Sequence, residues 1–149
     1  MSHYFGDFSI GQIFLSPKPR LITEDLIGQF GEVSGDLNPL HFDESFAKAS
    51  SFGKKIAHGL LGLSVASGLL HSTGIVRESI VAFTGGDWKF KKPIFIGDSV
   101  SLKMEVSKLK KISVSQGFVI LKAELFNQRQ ELVQGGTWSF LVRVASASV

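Results

Sequence analysis

No cysteine occurs among the 149 residues, which excludes disulfides, thiolate nucleophiles and zinc–thiolate centres together. The four histidines, at positions 3, 41, 58 and 71, show no His-x-x-x-His spacing, so the sequence predicts no metal site. There is no block of like charge either. The net charge is only +3 and the lysines are interleaved with apolar residues, which argues against a nucleic-acid partner. The longest apolar stretch, Gly59 to Leu70, contains glycine and serine and is about twelve residues, where a membrane span needs about twenty. The opening MSHYFGDFSI lacks the basic and apolar regions of a secretory signal. The expectation is a soluble, cytoplasmic protein with no membrane partner. No repeat or low-complexity linker interrupts the chain, and at 44% hydrophobic residues it reads as a single globular domain over 1–149.

The chemically dense stretch is Val33 to His41, VSGDLNPLH. Asp36 and His41 are its reactive groups. Pro39 lacks an amide donor, fixes its own φ and pushes Asn38 away from helical angles, so a shaped loop is expected. Gly35 permits backbone angles closed to other residues, which lets a carboxylate and an imidazole five positions apart fold toward one another. On a continuous helix that spacing would splay them. Gly-Asp-x-Asn-Pro is also ordinary turn chemistry, and the stretch alone does not separate the two readings.

Around it the chain alternates between helix and strand signals. FSIGQIFL, residues 8–15, suggests a first strand ending at Pro17 and Pro19. Thr23 can cap a helix whose first turn holds Glu24 and Asp25 and whose apolar face carries Leu26, Ile27, Phe30 and Val33. Asp43 and Glu44 head a short helical turn closed by Ser50, Ser51 and Gly53, after which Lys54 and Lys55 read as solvated. Gly59 to His71 is apolar on every side, so this helix must be surrounded by protein, and small Gly62, Ala66 and Ser67 allow close backbone approach. Three stretches then alternate with period two: Val100 to Val106, Val119 to Leu125 and Trp138 to Val144. Gly85 and Gly86 predict a bulge in a long strand between Ile80 and Lys91, and Asn127 to Gln130 a hairpin turn. The fold class is α+β.

Two blocks, Gly35-Asp36-x-Asn38-Pro39-x-His41 and the Ala57-His58-Gly59 that opens the apolar helix, closely resemble the signature of the MaoC-like, R-specific enoyl-CoA hydratases. The resemblance covers most of the chain from about Thr23 onward, without departure in the signature. It implies the hot dog fold, a curved antiparallel β-sheet wrapped around a central helix, assembled as a homodimer or a multiple of dimers. It also implies reversible hydration of a trans-2-enoyl-CoA to the (3R)-3-hydroxyacyl-CoA, with the coenzyme A thioester as substrate and no cofactor.

That chemistry suits the residues present. The β-carbon of a conjugated thioester is already electrophilic, so a base to activate water and a donor for the thioester oxygen suffice. Asp36 would be the base and His41 the second holder of the water. The Gly59 amide, at a helix start, would be the oxyanion donor. Asn38 can offset desolvation of the carboxylate. The resemblance adds Ser67 as a residue bonding near the acid, with an i−4 backbone bond as the alternative. His58 is expected to cap or pack the helix, His71 to sit at its end, and His3 to lie in a mobile terminus. Lys89, Lys91 and Lys92, alternating with Trp88 and Phe90, read as the outer face of a strand, with contact to the coenzyme A phosphates as the alternative. Other readings are a dehydratase of acyl-carrier-protein thioesters, a thioesterase, or a silent acyl-CoA-binding module; an intact Asp36/His41 pair counts against the last.

Overall fold

The computed structural model describes residues 1–146. Its frame is an antiparallel sheet whose main strands are β3 (Ile80–Phe90), β4 (Ser99–Lys111), β5 (Gln116–Phe126) and β6 (Leu132–Arg143). With β1 (Ile13–Leu15) the order is β1-β4-β5-β6-β3, and the two-residue β2 (Arg20–Leu21) pairs with β4. The period-two pattern has the expected cause. Val100, Leu102, Met104 and Val106 on β4, and Val119, Leu121, Ala123 and Leu125 on β5, are all buried on one face. Against that face lies α4 (Gly59–Ser72), contributing Leu61, Ala66, Leu69 and Leu70 to the same core. Each leucine buried there contributes about 2 kcal/mol. The result is the α+β layout with a sheet packed on one long helix.

Local signals account for most boundaries. Thr23 Oγ1 accepts from the Leu26 amide at 3.0 Å to start α1 (Glu24–Ser34), and Gly35 ends it in the left-handed conformation, φ 75°. Asp43 caps α3 (Glu44–Ala49) through a 2.9 Å bond from the Phe46 amide. The β5–β6 turn is held by Asn127 Oδ1, which accepts from the amides of Arg129 and Glu131 at 2.9 and 3.1 Å. The expected bulge in β3 is present as a register shift between Phe83 and Gly85.

Several expectations are corrected. The 8–15 stretch is strand only at its end, because a turn with Gly11 at φ 86° interrupts it; ahead of it Phe5–Asp7 forms a 3-10 turn. The signature stretch is not loop throughout: Asn38 Oδ1 accepts from the Leu40 amide at 3.0 Å and starts α2 (Pro39–Phe42), with proline at the position where its missing donor costs nothing. The last strand begins at Leu132, earlier than its alternation suggests. His3 lies in a tethered terminus, with its amide 2.6 Å from Ile75 O and its ring against Phe8 and Phe14. Lys55 is not simply solvated but pairs with Glu24 at 2.6 Å, and Lys54 sits over the Phe95 ring.

α4 is not wholly enclosed within one chain. Leu60, Ser64, Ser67, Gly68 and His71 form an exposed stripe along it. Among the described residues, no helix is long and apolar enough to cross a membrane.

Candidate active site

The end of α1, the turn of α2 and the start of α4 converge on one place. Gly35 turns the chain out of α1, and Asp36 follows with its amide donating to Ser34 Oγ at 3.1 Å. The Asp36 carboxylate accepts from the Asn38 amide at 3.2 Å and is otherwise open to solvent. Asn38 is therefore used twice, its backbone amide donating to the Asp36 carboxylate and its side-chain oxygen capping α2. Gly31 is required beneath this turn, since a Cβ there would stand 2.5 Å from the Phe42 ring.

His41, on α2, is partly buried and its Nδ1 lies 2.7 Å from the Ile56 carbonyl oxygen. A carbonyl only accepts, so Nδ1 carries the proton and Nε2 presents its lone pair. Burial pushes the His41 imidazole below its ordinary pKa, helped by the neighbouring His58 and opposed by the Ile56 carbonyl and Asp36.

His58 is the residue that sequence reasoning underrated. It is buried, makes no side-chain cap to α4, and stacks on His41 with ring centroids 3.9 Å apart and planes at 29°. Its Nε2 donates to the Asp36 carbonyl oxygen at 2.9 Å, which leaves Nδ1 buried without a partner among the described residues. Phe30 and Phe42 flank the ring at 4.9 and 5.6 Å. The sequence carries only part of the signal: its place directly before an apolar helix suggests packing, whereas its bond to Asp36 joins segments 22 positions apart.

Side-chain ligand atoms of Asp36, His41 and His58 all lie within 4.8 Å of one another. By spacing alone this trio could be read as a metal centre. The stacking argues otherwise, because imidazole lone pairs lie in the ring plane. Two nearly parallel rings 3.9 Å apart do not aim their lone pairs at one point 2 Å from both. The trio brings one carboxylate and two imidazoles to a single place at the mouth of α4.

Gly59 is the first residue of α4, so its amide has no acceptor within the helix. It lines a groove with Phe52, Ile56, Phe90, Lys91 and Lys92. The half-exposed Phe90 ring occupies the space a Cβ would need, 2.8 Å from it, so glycine is demanded here by a packed aromatic ring. Gln134, buried on β6, donates from Nε2 to the Gly59 carbonyl at 3.0 Å. Sequence reasoning gave no role to Gln134.

Ser67 is not brought into this cluster. It lies on the exposed stripe of α4 and lines a separate groove with Leu63, Ser64, His71, Phe83 and Trp138. The i−4 backbone bond given as the alternative for Ser67 is not made by it among the described residues, whereas Ser64 makes one to the Leu60 carbonyl at 2.8 Å. Lys89, Lys91 and Lys92 are exposed, and Lys92 pairs with Glu131 at 2.7 Å.

Comparison with known proteins places the chain in a family. The family model described as "MaoC like domain" matches residues 7–125, and the chain belongs to that family. Its fold is the hot dog fold, shared with its structural neighbours. The chain is 36% identical over 106 residues to a 3-hydroxybutyryl-CoA dehydratase of Methylorubrum extorquens, covering 71% of this chain and 65% of that protein. It is 34% identical over 110 residues to an (R)-specific enoyl-CoA hydratase of Aeromonas caviae, covering 74% and 78%. A solved structure of a monoamine oxidase regulatory protein from Archaeoglobus fulgius superposes with a TM-score of 0.90 at 36% identity, covering 98% of each chain.

Proposed function

We propose that this protein is a hydro-lyase that reversibly adds water to a trans-2-enoyl-CoA, giving the (3R)-3-hydroxyacyl-CoA. The observation that carries the reading is the approach of Asp36 and His41 beside the free amide end of α4. The relatives named as enoyl-CoA hydratase and 3-hydroxybutyryl-CoA dehydratase support the same chemistry.

In the forward direction a water donates one hydrogen bond to the Asp36 carboxylate and one to His41 Nε2. Both are acceptors, so the water's lone pair is left to face the β-carbon. As the carbon–oxygen bond forms, Asp36 takes a proton and the π electrons move onto the thioester oxygen, where the Gly59 amide stabilises them. One such donor is worth about 3 kcal/mol. Collapse of the enolate then takes a proton at the α-carbon on the same face, from the Asp36–His41 pair, for a syn addition. The steps require neither metal nor cofactor beyond the thioester substrate itself.

The protein acts as a homodimer or a multiple of dimers. β3 ends the strand order and carries exposed Val81, Phe83 and Phe90, an edge that invites pairing with another copy. The exposed stripe of α4 supports burial in the same way.

The test is to offer the purified protein short, medium and branched trans-2-enoyl-CoAs and follow loss of the conjugated-thioester absorbance. Turnover of at least one supports the reading. A protein that binds these thioesters without turnover is a silent binder. Activity confined to acyl-carrier-protein thioesters would move the substrate assignment to that carrier.

A further inference from the structure

Gln134 is 2% exposed and points from β6 into the interior at the foot of α4. A buried carboxamide is costly unless its groups are bonded, and both ends of this one are. Nε2 donates to the Gly59 carbonyl at 3.0 Å, and Oε1 accepts from Trp88 Nε1 on β3 at 2.9 Å. The two partners also fix which way the amide faces. Turned over, its oxygen would meet the Gly59 oxygen and its NH2 the indole N–H.

Two further contacts tighten the arrangement. A Cβ on Gly62, one turn along α4, would overlap the Gln134 carboxamide, so the helix rests directly on it. Trp88 is itself held by stacking on Trp138, centroids 5.1 Å apart. The first turn of α4, β3 and β6 thus meet on one side chain.

We infer that Gln134 is a positioning residue, which through the Gly59 carbonyl sets where the Gly59 amide stands relative to the thioester oxygen. This rests on the hydratase reading above. An oxyanion donor works only if held within about 0.5 Å of its place, and an amide at a helix start has no intrahelical bond of its own to hold it. Phe90 covers Gly59 from the groove side and Gln134 ties it from beneath, so the residue is fixed between a ring and a carboxamide.

The test compares Gln134→Met, Trp88→Phe and the double variant with the wild type. Methionine keeps the bulk against Gly62 and removes both hydrogen bonds. With crotonyl-CoA, Gln134→Met should lower kcat by about tenfold, a partial loss of one oxyanion donor. KM and the Kd of saturated butyryl-CoA, on which no charge develops, should stay within about twofold. Trp88→Phe should lower kcat by about threefold alone and add nothing in the Gln134→Met background, because the two act in series. An unchanged kcat in both single variants would overturn the inference, as would a loss that tracks weaker butyryl-CoA binding. Should Gln134→Met fail to fold, Trp88→Phe decides by the same criteria. A wild type that turns over no enoyl thioester would instead remove the hydratase reading, and this inference with it.

Discussion

His58 lies flat against His41, ring on ring at 3.9 Å, while its Nε2 holds the backbone carbonyl of Asp36. One buried side chain thus touches both members of the proposed pair, one through its face and the other through its edge. Conversion of His58 to Phe would keep a ring for the stack and delete the bond to Asp36. The stability cost should be near 1 kcal/mol, since the freed carbonyl belongs to an exposed residue that water can reach. Turnover should fall further than that, by about tenfold or more, because the carboxylate loses its fixed backbone. Thermal melting and steady-state kinetics on the same preparation separate the two; equal losses in stability and activity would reduce His58 to packing.

Asp36→Asn should leave the melting temperature unchanged and lower turnover by about 10² or more. Asparagine's oxygen can still accept the Asn38 amide that Asp36 holds at 3.2 Å, so the turn survives while the base does not. Normal hydration by the variant would make Asp36 a turn residue only.

His41 is pushed below its ordinary pKa of 6.5, first by burial, so it should be neutral at pH 7 with its Nε2 lone pair free. The acid limb of kcat/KM should accordingly lie below pH 6.5, with activity lost as the pH falls through the lowered value. The same sign governs stability. Below about pH 6.5 the unfolded chain binds a proton at this position that the folded chain resists, so stability is full above that pH and declines as the pH falls through the folded value. His58→Gln, which removes a neighbour that lowers His41, should move the His41 titration upward by NMR.

At Gly59 the Phe90 ring decides what an added methyl group would do. Open space for a substrate would make alanine mild, yet its Cβ would stand 2.8 Å from the Phe90 ring. Gly59→Ala should therefore displace either the ring or the helix start and cost about tenfold or more in turnover. Phe90→Ala, which vacates that space, should recover part of the loss in the double variant. Additive losses would show that the ring is not what excludes the methyl group.

Assembly is accessible by sedimentation. A species of about twice the 16.2 kDa chain mass, or a multiple of it, is expected at micromolar concentration. Phe83→Lys, a charge on the exposed edge of β3, should shift it toward monomer; a wild-type monomer would contradict the proposed dimer.

Much of this was legible in the sequence because alternation and capping are local. Val100 to Val106 and Val119 to Leu125 declared their buried face by period alone, and Thr23 and Asp43 declared helix starts. Asp36, His41 and Gly59 stood out through their motif. What stayed hidden depends on contacts between distant segments. His58 meets Asp36 across 22 positions and Gln134 meets Gly59 across 75, and no periodicity encodes either bond. The stretch from Leu132 was missed because Gln134, Gly135 and Gly136 break the apolar alternation at the place where β6 passes beneath α4. Ser67 illustrates the converse, since helical spacing put it on the same helix as Gly59 while the structure turns it outward to a different groove.

The most direct measurement is the configuration at C3 of the product that wild-type protein forms from crotonyl-CoA at neutral pH with no metal or cofactor added. Expected is loss of the conjugated-thioester absorbance with accumulation of (3R)-3-hydroxybutyryl-CoA. Persistence of that absorbance with intact thioester, or a (3S) product, would contradict the assignment of Asp36, His41 and Gly59 to an R-specific hydration.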